Sequence, residues 1–350
     1  QPYPRFVLGC RDRRVLLLSV LSSLFDPLGF LAPYVLPIKA LLQELWRLKV
    51  GWDDKVQEQQ LTVWLQWLKS LSKLPEVRIA RCYFNADMTC VGTIELHLFS
   101  DASEIAYAAV GYVRIVDNGE GINCRFIMGK CRNCPIKRPT IPRLELMASV
   151  LAVRLSNIIK NELDWNIDSI TFWTDSTTVL QYIKNENRRF HRFVTTRLEE
   201  IHEHTTSEQW RHVPGALNPA DDGSRGLPIE AFHPECRWWS GPAFLSQTGD
   251  HWPCLRITEV PENDEEVLKP RVNRSVSAVV VGSKLGHLLE NTSSWSKLQK
   301  CVSWLVRFVQ YLRVKDKSQQ IVFPKEISLD EMKRASKFIV RMVQTQILSG

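Results

Sequence analysis

The chain has 350 residues, of which 44% are hydrophobic and 24% are charged, and this balance is typical of a folded globular protein and excludes a disordered one. Its length allows two or more domains, each with its own core. Much of the formal net charge of +7 comes from clustered basic residues, and this clustering favours a polyanionic partner. Lysines scattered over the surface are the alternative interpretation of the charge.

Cysteine usage and the absence of targeting patterns indicate an intracellular protein. The nine cysteines have no regular spacing, which favours reduced thiols. Cys131 and Cys134 form the single CxxC pair, and without a second pair it is only a weak indication of zinc. No stretch reaches the roughly 18 apolar residues of a membrane span, and no signal peptide is recognisable, so we expect no membrane partner.

Residues 1–90 have the pattern of a helical region. An apolar run over 15–24 is followed by the turn sequence Asp-Pro-Leu-Gly, and Pro33 is suited to the start of a second helix. A third helix is predicted to place five apolar residues on one side. We expect its tryptophans to pack in a core, with nucleic-acid stacking as the alternative. The predicted buried side consists of Leu61, Trp64, Leu65, Leu68 and Leu71.

Residues 91–228 alternate between strand and helix patterns, which predicts an α/β fold. The predicted strands cover 93–100, 106–115, 124–129, 169–174 and 209–213. The predicted helices cover 143–161, 176–184 and 191–204, and a last one opens at Asn218 and Pro219.

The C-terminal third begins with a stretch rich in Pro, Trp and charge over 229–283, predicted to be irregular. Trp238 and Trp239 within it are expected to lie against the preceding domain. Two helices follow, and the second opens at Ser328 with Glu331 as a capping box. The first is predicted to carry one apolar stripe, formed by Trp295, Leu298, Val302, Leu305, Val309 and Leu312.

Four acidic residues stand where predicted strands end or helices begin. Asp101 in FSDAS follows a buried strand. An uncompensated carboxylate is unfavourable there, and a cation shared with other acids would compensate its charge. Glu145 in PRLELMAS lies in the first turn of a helix, and Asp175 in FWTDSTTVL follows a short strand. Asp221 in NPADDGSRG lies in the last predicted helix.

These four contexts, in this order, resemble the ribonuclease H domain of retroelement polyproteins, and FDPLGFLAPYVLPIK narrows the likeness to BEL/Pao-type LTR retrotransposons. The resemblance implies a ribonuclease H-like mixed central sheet with flanking helices, preceded and followed by mainly α-helical segments. It implies four regions. These are a connection region after a reverse transcriptase palm (1–90), a ribonuclease H-like domain (91–228), a linker (229–283) and a helical segment preceding an integrase zinc-binding module (284–350).

The resemblance also implies the chemistry, which is hydrolysis of the RNA strand of RNA–DNA hybrids during reverse transcription. Its catalytic and metal-binding residues would be Asp101, Glu145, Asp175 and Asp221, holding two Mg²⁺ ions or Mn²⁺. Asp221 fits the family pattern better than Asp222, and adjacent residues on a helix point about 100° apart. Many ribonucleases H carry a histidine in the loop before the last aspartate. That loop lacks one here, and we expect His212 on the preceding strand to be structural.

Two basic runs are the expected contacts to the phosphates of the hybrid, with a solvated face as the alternative for each. One contains Lys184, Arg188, Arg189, Arg192 and Arg197, and the other contains Lys130, Arg132, Lys137 and Arg138. The other implied partners are the reverse transcriptase and integrase modules of the same polyprotein, of which this chain would be an excerpt. Such a polyprotein would act in a cytoplasmic virus-like particle and in the nucleus.

Two other functions stay open. Family labels for this stretch also name a Pao retrotransposon peptidase, an aspartic-type enzyme that pairs two aspartates in Asp-Thr/Ser-Gly turns. The sequence Asp101-Ala102-Ser103 lacks that glycine, and no second copy accompanies it. The remaining alternative is a catalytically inactive nucleic-acid-binding connection scaffold of the polyprotein.

Overall fold

A computed structural model describes residues 14–52, 54–79, 91–117, 121–137, 139–185, 188–261, 264–268, 292, 294–315 and 327–348. The chain forms two compact units, Gln1–Leu268 and Lys269–Gly350. None of the described helices is both long and apolar enough to cross a membrane.

The first unit is built on a mixed five-stranded sheet with the order β3-β2-β1-β4-β5. Its strands are β1 (Val91–Ala102), β2 (Ala106–Asp117), β3 (Ile122–Asn133), β4 (Ser169–Thr174) and β5 (Trp210–His212). β1, β2 and β3 are antiparallel neighbours, whereas β4 runs parallel to β1 and β5 runs parallel to β4. Because Ser100 of β1 pairs with Thr174 of β4, both strands end at the same edge of the sheet. The predicted α/β fold with a mixed central sheet is confirmed.

One face of the sheet is covered by three helices whose apolar residues follow the helical period. They are α4 (Ile141–Glu162), α5 (Thr177–Ile183) and α6 (Arg192–His204). Leu144, Leu151 and Leu155 of α4 are at most 3% exposed. On the strand side, Leu98 and Phe172 belong to the same core as Leu151 and Leu155. This burial explains why a 22-residue helix forms at 141–162 and presents its first turn to the end of the sheet.

The opposite face is covered by helices from both ends of the unit. They are α1 (Arg14–Ser23), α2 (Ala32–Arg47), α3 (Glu58–Ser70), α7 (Ala220–Arg225) and α8 (Arg237–Ser240). Successive strand residues point to opposite faces, so Phe99 of β1 packs on this side, in one core with Leu36 of α2, Trp64 of α3 and Trp238 of α8. The helical region at the N-terminus therefore shares its core with the sheet.

The tryptophans of α3 pack in this core, as predicted, but the buried side of the helix differs from the predicted one. Trp64 is 0% exposed and Trp67 is 8% exposed, whereas Leu65 is 40% exposed. Trp67 is buried because its ring stacks on Tyr34 at 5.2 Å and its Nε1 donates to the Tyr34 carbonyl at 3.1 Å. The helix continues as a 3-10 turn over Leu71–Glu76.

The segment after α7 folds into short helices that pack on the same face. Besides α8, it contains 3-10 turns at Ile229–Ala231, Ala243–Ser246 and Gly249–His251. Trp238 and Trp239 donate through their Nε1 atoms to the carbonyls of Gly29 at 3.1 Å and Phe30 at 2.9 Å. Trp238 also lies against the preceding domain, as expected, because its ring centroid is 5.9 Å from that of Phe126 and its carbonyl accepts from the Tyr112 hydroxyl at 2.9 Å.

The second unit contains a pair of helices, α9 (Trp295–Lys315) and α10 (Leu329–Leu348). The predicted capping box is confirmed, since the Ser328 amide donates to Glu331 Oε2 at 2.8 Å. Of the predicted stripe on α9, Leu298 and Val302 are buried against α10, whereas Trp295, Leu305 and Val309 are 52%, 43% and 43% exposed. The side chain of Leu312 lies outside the described residues. One described partner helix covers only a narrow part of such a stripe.

Candidate active site

Asp101 is the penultimate residue of β1 and is 6% exposed. Its carboxylate accepts a hydrogen bond from the hydroxyl of Ser224 on α7. The segment that leads into α7 is tied to the same strand, because Asn218 Nδ2 donates to the Ser100 carbonyl at 3.0 Å. The fold thus places α7 directly beside the end of β1.

Glu145 lies near the start of α4 and reaches the residue that follows Asp175. Its carboxylate accepts a hydrogen bond from the hydroxyl of Ser176. Ser176 is the N-cap of α5, and its oxygen accepts from the Val179 amide at 3.2 Å, as predicted for this serine. α4 and the turn between β4 and α5 are therefore joined at the Glu145 side chain.

Asp175 follows the last residue of β4, and one of its oxygens has no partner. The Oδ1 atom is buried and accepts no hydrogen bond within the part of the chain that the structure describes. A Cβ atom at Gly215 would lie 3.1 Å from the other oxygen, Oδ2, so a glycine lets the loop before α7 approach this carboxylate. A buried carboxylate oxygen without a donor is unfavourable and marks a place where a cation would be stabilised.

Asp221 and Asp222 are adjacent on α7 but bind different groups. Asp221 accepts a hydrogen bond from Arg225 Nε, one turn further along the helix. Both oxygens of Asp222 are held by Arg237, at 3.0 Å from Nε and 2.6 Å from Nη2. The charge of Asp221 acts on Asp101 and Asp175. Asp221 is thus the acid of this pair that acts on the other carboxylates.

The four carboxylates influence one another electrostatically, although they are far apart in the sequence. Burial, and next the charge of Asp175, raise the pKa of Asp101 to about 7, against the hydrogen bond from Ser224. Burial and then the charge of Asp221 raise the pKa of Asp175. Burial raises the pKa of Glu145, with a further contribution from Asp175. The structure therefore brings Asp101, Glu145, Asp175 and Asp221 together at one end of the sheet.

The donor set has the chemistry of a hard-cation site, but its side chains are engaged by the protein. Over the described ranges, no three His, Cys, Asp or Glu side chains are gathered so as to hold one ion. Asp101, Glu145 and Asp221 accept from Ser224, Ser176 and Arg225. Asp101, Glu145 and Asp175 have raised pKa values, and Oδ1 of Asp175 is unpaired. The other three carboxylates keep lone pairs beyond those that their present donors use, so the set fits Mg²⁺ or Mn²⁺.

The CxxC cysteines lie in the core and not in this cluster. Burial raises the pKa of the Cys131 thiol well above its ordinary value, which disfavours the thiolate that a metal requires. Cys134 is also buried, and its thiol donates to the Ser103 carbonyl at 3.3 Å.

The predicted phosphate-binding residues differ in their accessibility. Lys137, Lys184, Arg189 and Arg192 are exposed, as is Arg132. Lys130 and Arg188 are half-buried, and Arg138 lies outside the described residues. Arg197 is engaged locally, because its guanidinium stacks 3.4 Å from the centroid of the Phe193 ring and donates to the Phe193 carbonyl at 2.9 Å. The exposed members form the accessible part of the two runs.

Three charged residues near the site were not predicted from the sequence. Arg225 follows Asp221 by four residues, a spacing at which helical side chains meet, so the pattern was available. Arg237 comes from another element and gave no local signal. Glu266 binds Arg143 in the first turn of α4 at 2.5 and 3.0 Å. His212 ends β5, and a positive charge there would lower the pKa of Asp175.

The sequence model of one protein family matches residues 13–176, and this family is described as Pao retrotransposon-like RNaseH-like domain. The matched segment contains Asp101, Glu145 and Asp175, whereas Asp221 lies beyond it. No curated protein matches the chain.

Several solved structures are similar to part of the chain. RNase H1 from the halophilic archaeon Halobacterium salinarum NRC-1 is 18% identical, over 37% of this chain and 91% of that chain, with a TM-score of 0.25. The N-terminal RNase H domain of rv2228c from Mycobacterium tuberculosis is 13% identical, over 38% and 94%, with a TM-score of 0.25. LC11-RNase H1, in complex with RNA/DNA hybrid, is 13% identical, over 37% and 92%, with a TM-score of 0.24. These scores are too low to bear on chemistry. The family match over residues 13–176 supports a Pao-type retrotransposon RNase H-like domain.

Proposed function

We propose that this chain is a metal-dependent endonuclease that hydrolyses the RNA strand of RNA–DNA hybrids during retrotransposon reverse transcription. The match to an RNase H-like domain family supports a nuclease-type hydrolase. The observation that carries the finer proposal is the convergence of Asp101, Glu145, Asp175 and Asp221 from separate elements. Burial and neighbouring charge raise the pKa values of Asp101, Glu145 and Asp175. Buried like charges are unfavourable for folding and cluster at catalytic sites.

The proposed cofactors are two Mg²⁺ ions, with Mn²⁺ as a substitute, held by these four carboxylates. Bound divalent ions supply a polarised phosphoryl oxygen and an activated water. The residues of the chain prepare the site for them. The hydroxyls of Ser176 and Ser224 hold Glu145 and Asp101 in place, and Arg225 offsets part of the negative charge. The unpaired Oδ1 of Asp175 is an oxygen available to a cation.

The proposed substrate contacts are the exposed members of the two basic runs. Arg189, Arg192, Lys184 and Lys137 would neutralise phosphates without regard to sequence, so binding should weaken as salt rises. Recognition of the hybrid by its shape and 2′-hydroxyls would confine cleavage to the RNA strand. The reverse transcriptase and integrase modules of the same polyprotein are the proposed protein partners.

A cleavage assay with a matched pair of variants tests the proposal. The purified chain is incubated with an end-labelled RNA–DNA hybrid, with and without Mg²⁺, alongside Asp175→Asn and the exposed-site control Asp164→Asn. We expect Mg²⁺-dependent cleavage of the RNA strand. It should fall by more than about 100-fold in Asp175→Asn, a larger loss than outer contacts of a metal site produce, and stay unchanged in Asp164→Asn.

The same preparation separates the alternatives. Pepstatin-sensitive cleavage of a peptide substrate, with the hybrid left intact, would support an aspartic-type peptidase. Salt-dependent binding of the hybrid without cleavage would support a catalytically inactive scaffold. Cleavage that persists in EDTA or in Asp175→Asn would contradict the metal-dependent nuclease.

A further inference from the structure

Asp221 lies on a helix that is too short to hold its own orientation. α7 has six residues and follows a 3-10 turn at Gly215–Leu217. Isolated helices of this length are unstable, so contacts from other elements must set the direction of α7. One such contact is the Ser103 hydroxyl, which donates to the Ser224 carbonyl at 2.7 Å. It ties the end of α7 to the turn between β1 and β2.

A second set of contacts comes from Arg237, the first residue of α8. Its guanidinium binds both oxygens of Asp222, and its Nη1 donates to the Ala216 carbonyl at 2.7 Å. Its Nη2 also lies 3.8 Å from Asp221 Oδ2. One side chain therefore joins the turn before α7, the helix itself and the carboxylate that belongs to the cluster.

Arg237 is presented by a fixed part of the core. The neighbouring Trp238 is 0% exposed, and its carbonyl accepts a hydrogen bond from the Tyr112 hydroxyl at 2.9 Å. A Cβ atom at Gly223 would lie 2.8 Å from the Trp238 ring, so α7 rests directly on this indole. Because Trp238 is hydrogen-bonded to Tyr112 of β2 and to Gly29, contacts outside α7 also fix the position of Arg237.

Arg225 cannot replace Arg237 in this role. It also binds Asp221, but it belongs to the same helix and its side chain is 67% exposed. A contact within one helix does not orient that helix relative to the sheet, and exposed ion pairs contribute little to stability. Arg237 is 31% exposed and its partner Asp222 is 13% exposed, which makes this pair the more effective restraint.

We infer that Arg237 is a positioning residue for the nuclease site. By binding Asp222, Arg237 fixes the orientation of α7 about its axis. In that orientation Asp221 faces Asp101 and Asp175. The inference rests on the proposed function for its catalytic consequence, and it extends the site beyond residue 228 to the segment expected to be a linker. The planar fork of arginine matches a carboxylate at two points and leaves a third donor for Ala216, which lysine cannot do.

Steady-state kinetics of hybrid cleavage give the first test, with the variants Arg237→Gln, Arg237→Lys and Asp222→Asn. Each should lower kcat by about 10- to 100-fold, with little change in KM, as removal of an outer contact of a metal site does. Arg237→Lys should recover little of the loss. Combining Arg237→Gln with Asp222→Asn should lower kcat no further, because both variants remove the same contact.

The matched control is Arg154→Gln, which removes another two-point arginine pair, to Glu200 at 2.5 and 2.9 Å. This pair joins α4 and α6, and its removal should leave kcat and KM unchanged. An unchanged kcat in Arg237→Gln, full recovery in Arg237→Lys, or additive losses in the double variant would overturn the inference. Should Arg237→Gln fail to fold, Asp222→Asn carries the test, since it leaves the contact of Arg237 with Ala216 in place.

Amide hydrogen exchange gives a readout that does not depend on activity. We expect Arg237→Gln to accelerate exchange over residues 215–226 by about 10-fold, as local release of a helix does, with β1 and α4 unaffected. Unchanged exchange there would overturn the inference. If the wild-type chain does not cleave the hybrid and exchange still rises locally, the proposed function fails and the positioning of α7 by Arg237 stands.

Discussion

The side chain of Asp101 is held in a setting that favours its protonated form. It is 6% exposed, and its pKa is raised to about 7, first by burial and then by Asp175. The hydrogen bond from Ser224 acts in the other direction but does not cancel these effects. The folded chain therefore keeps a proton on this carboxyl at pH values where the unfolded chain has released it.

Replacing Asp101 with Asn should change how stability depends on pH in buffer that contains EDTA. The pKa of Asp101 is about 7 in the folded state and near its ordinary value of 3.8 in the unfolded state. The folded state thus binds more protons between these values, and the free energy of unfolding falls as pH rises from about 4 to about 7. At about 1.4 kcal/mol per pKa unit, the upper bound of this loss is ~4 kcal/mol.

Urea unfolding at pH 4 and pH 8 measures the effect. Asp101→Asn should show a smaller loss of stability between the two pH values than the wild type, while the exposed Asp164→Asn keeps the wild-type loss. Equal losses in wild type and Asp101→Asn would show that Asp101 ionises normally. Addition of Mg²⁺ at pH 8 should stabilise the wild type more than the variant, because a bound cation favours the ionised carboxylate.

The helix α7 is tightly enclosed by its neighbours. A Cβ atom at Gly223 would lie 2.7 Å from the Ala108 Cβ and 2.8 Å from the Trp238 ring. Ala108 sits opposite Asp101 in the register of β1 and β2, so the packing of this glycine is coupled to the position of the candidate site. The helix is held between β2 and α8.

Gly223→Ala should therefore destabilise the first unit by about 1–3 kcal/mol, the usual range for overpacking a filled core. The loss should occur although alanine favours helices over glycine by about 1 kcal/mol. Thermal unfolding of the variant measures it. Gly249→Ala is the matched control, since a Cβ atom there meets nothing within 4 Å. A Gly223→Ala variant as stable as the control would mean that α7 has space to shift.

Element existence was largely predictable, but the partners of the elements were not. The strands β1 and β4 follow the apolar pattern of their residues, and the acids at their ends follow from local contexts that resemble ribonuclease H. Arg237 and Trp238 were not predicted to contact α7, because packing between elements distant in the chain leaves no periodic signal. The position of Leu65 was mispredicted for the same reason. Periodicity identifies an apolar side of a helix, but it does not show that the ring of Trp67 is buried while Leu65 is exposed.

At the scale of the whole molecule, residues outside 91–228 complete the core of the first unit. The sheet face that contains Phe99, Tyr112 and Trp173 is covered by helices α1–α3 and by residues 229–252. Burying one such large side chain contributes about 1.5–3 kcal/mol, and a whole domain is stable by only about 5–15 kcal/mol. A segment that leaves this face exposed therefore has little stability left.

We expect residues 1–268 to fold cooperatively and residues 91–228 alone to remain without fixed packing. The first unit keeps both covering groups, whereas 91–228 exposes aromatic side chains such as Phe99 and Trp173 that are 0% exposed in the structure. Near-ultraviolet circular dichroism and binding of the dye ANS distinguish the two outcomes. A loosely packed chain loses its near-ultraviolet signal and binds ANS. Cooperative unfolding of 91–228 alone would mean that this domain folds without α1–α3 and α8. Its failure to fold, beside a folded 1–268, would make both flanking segments part of the domain that holds the carboxylates.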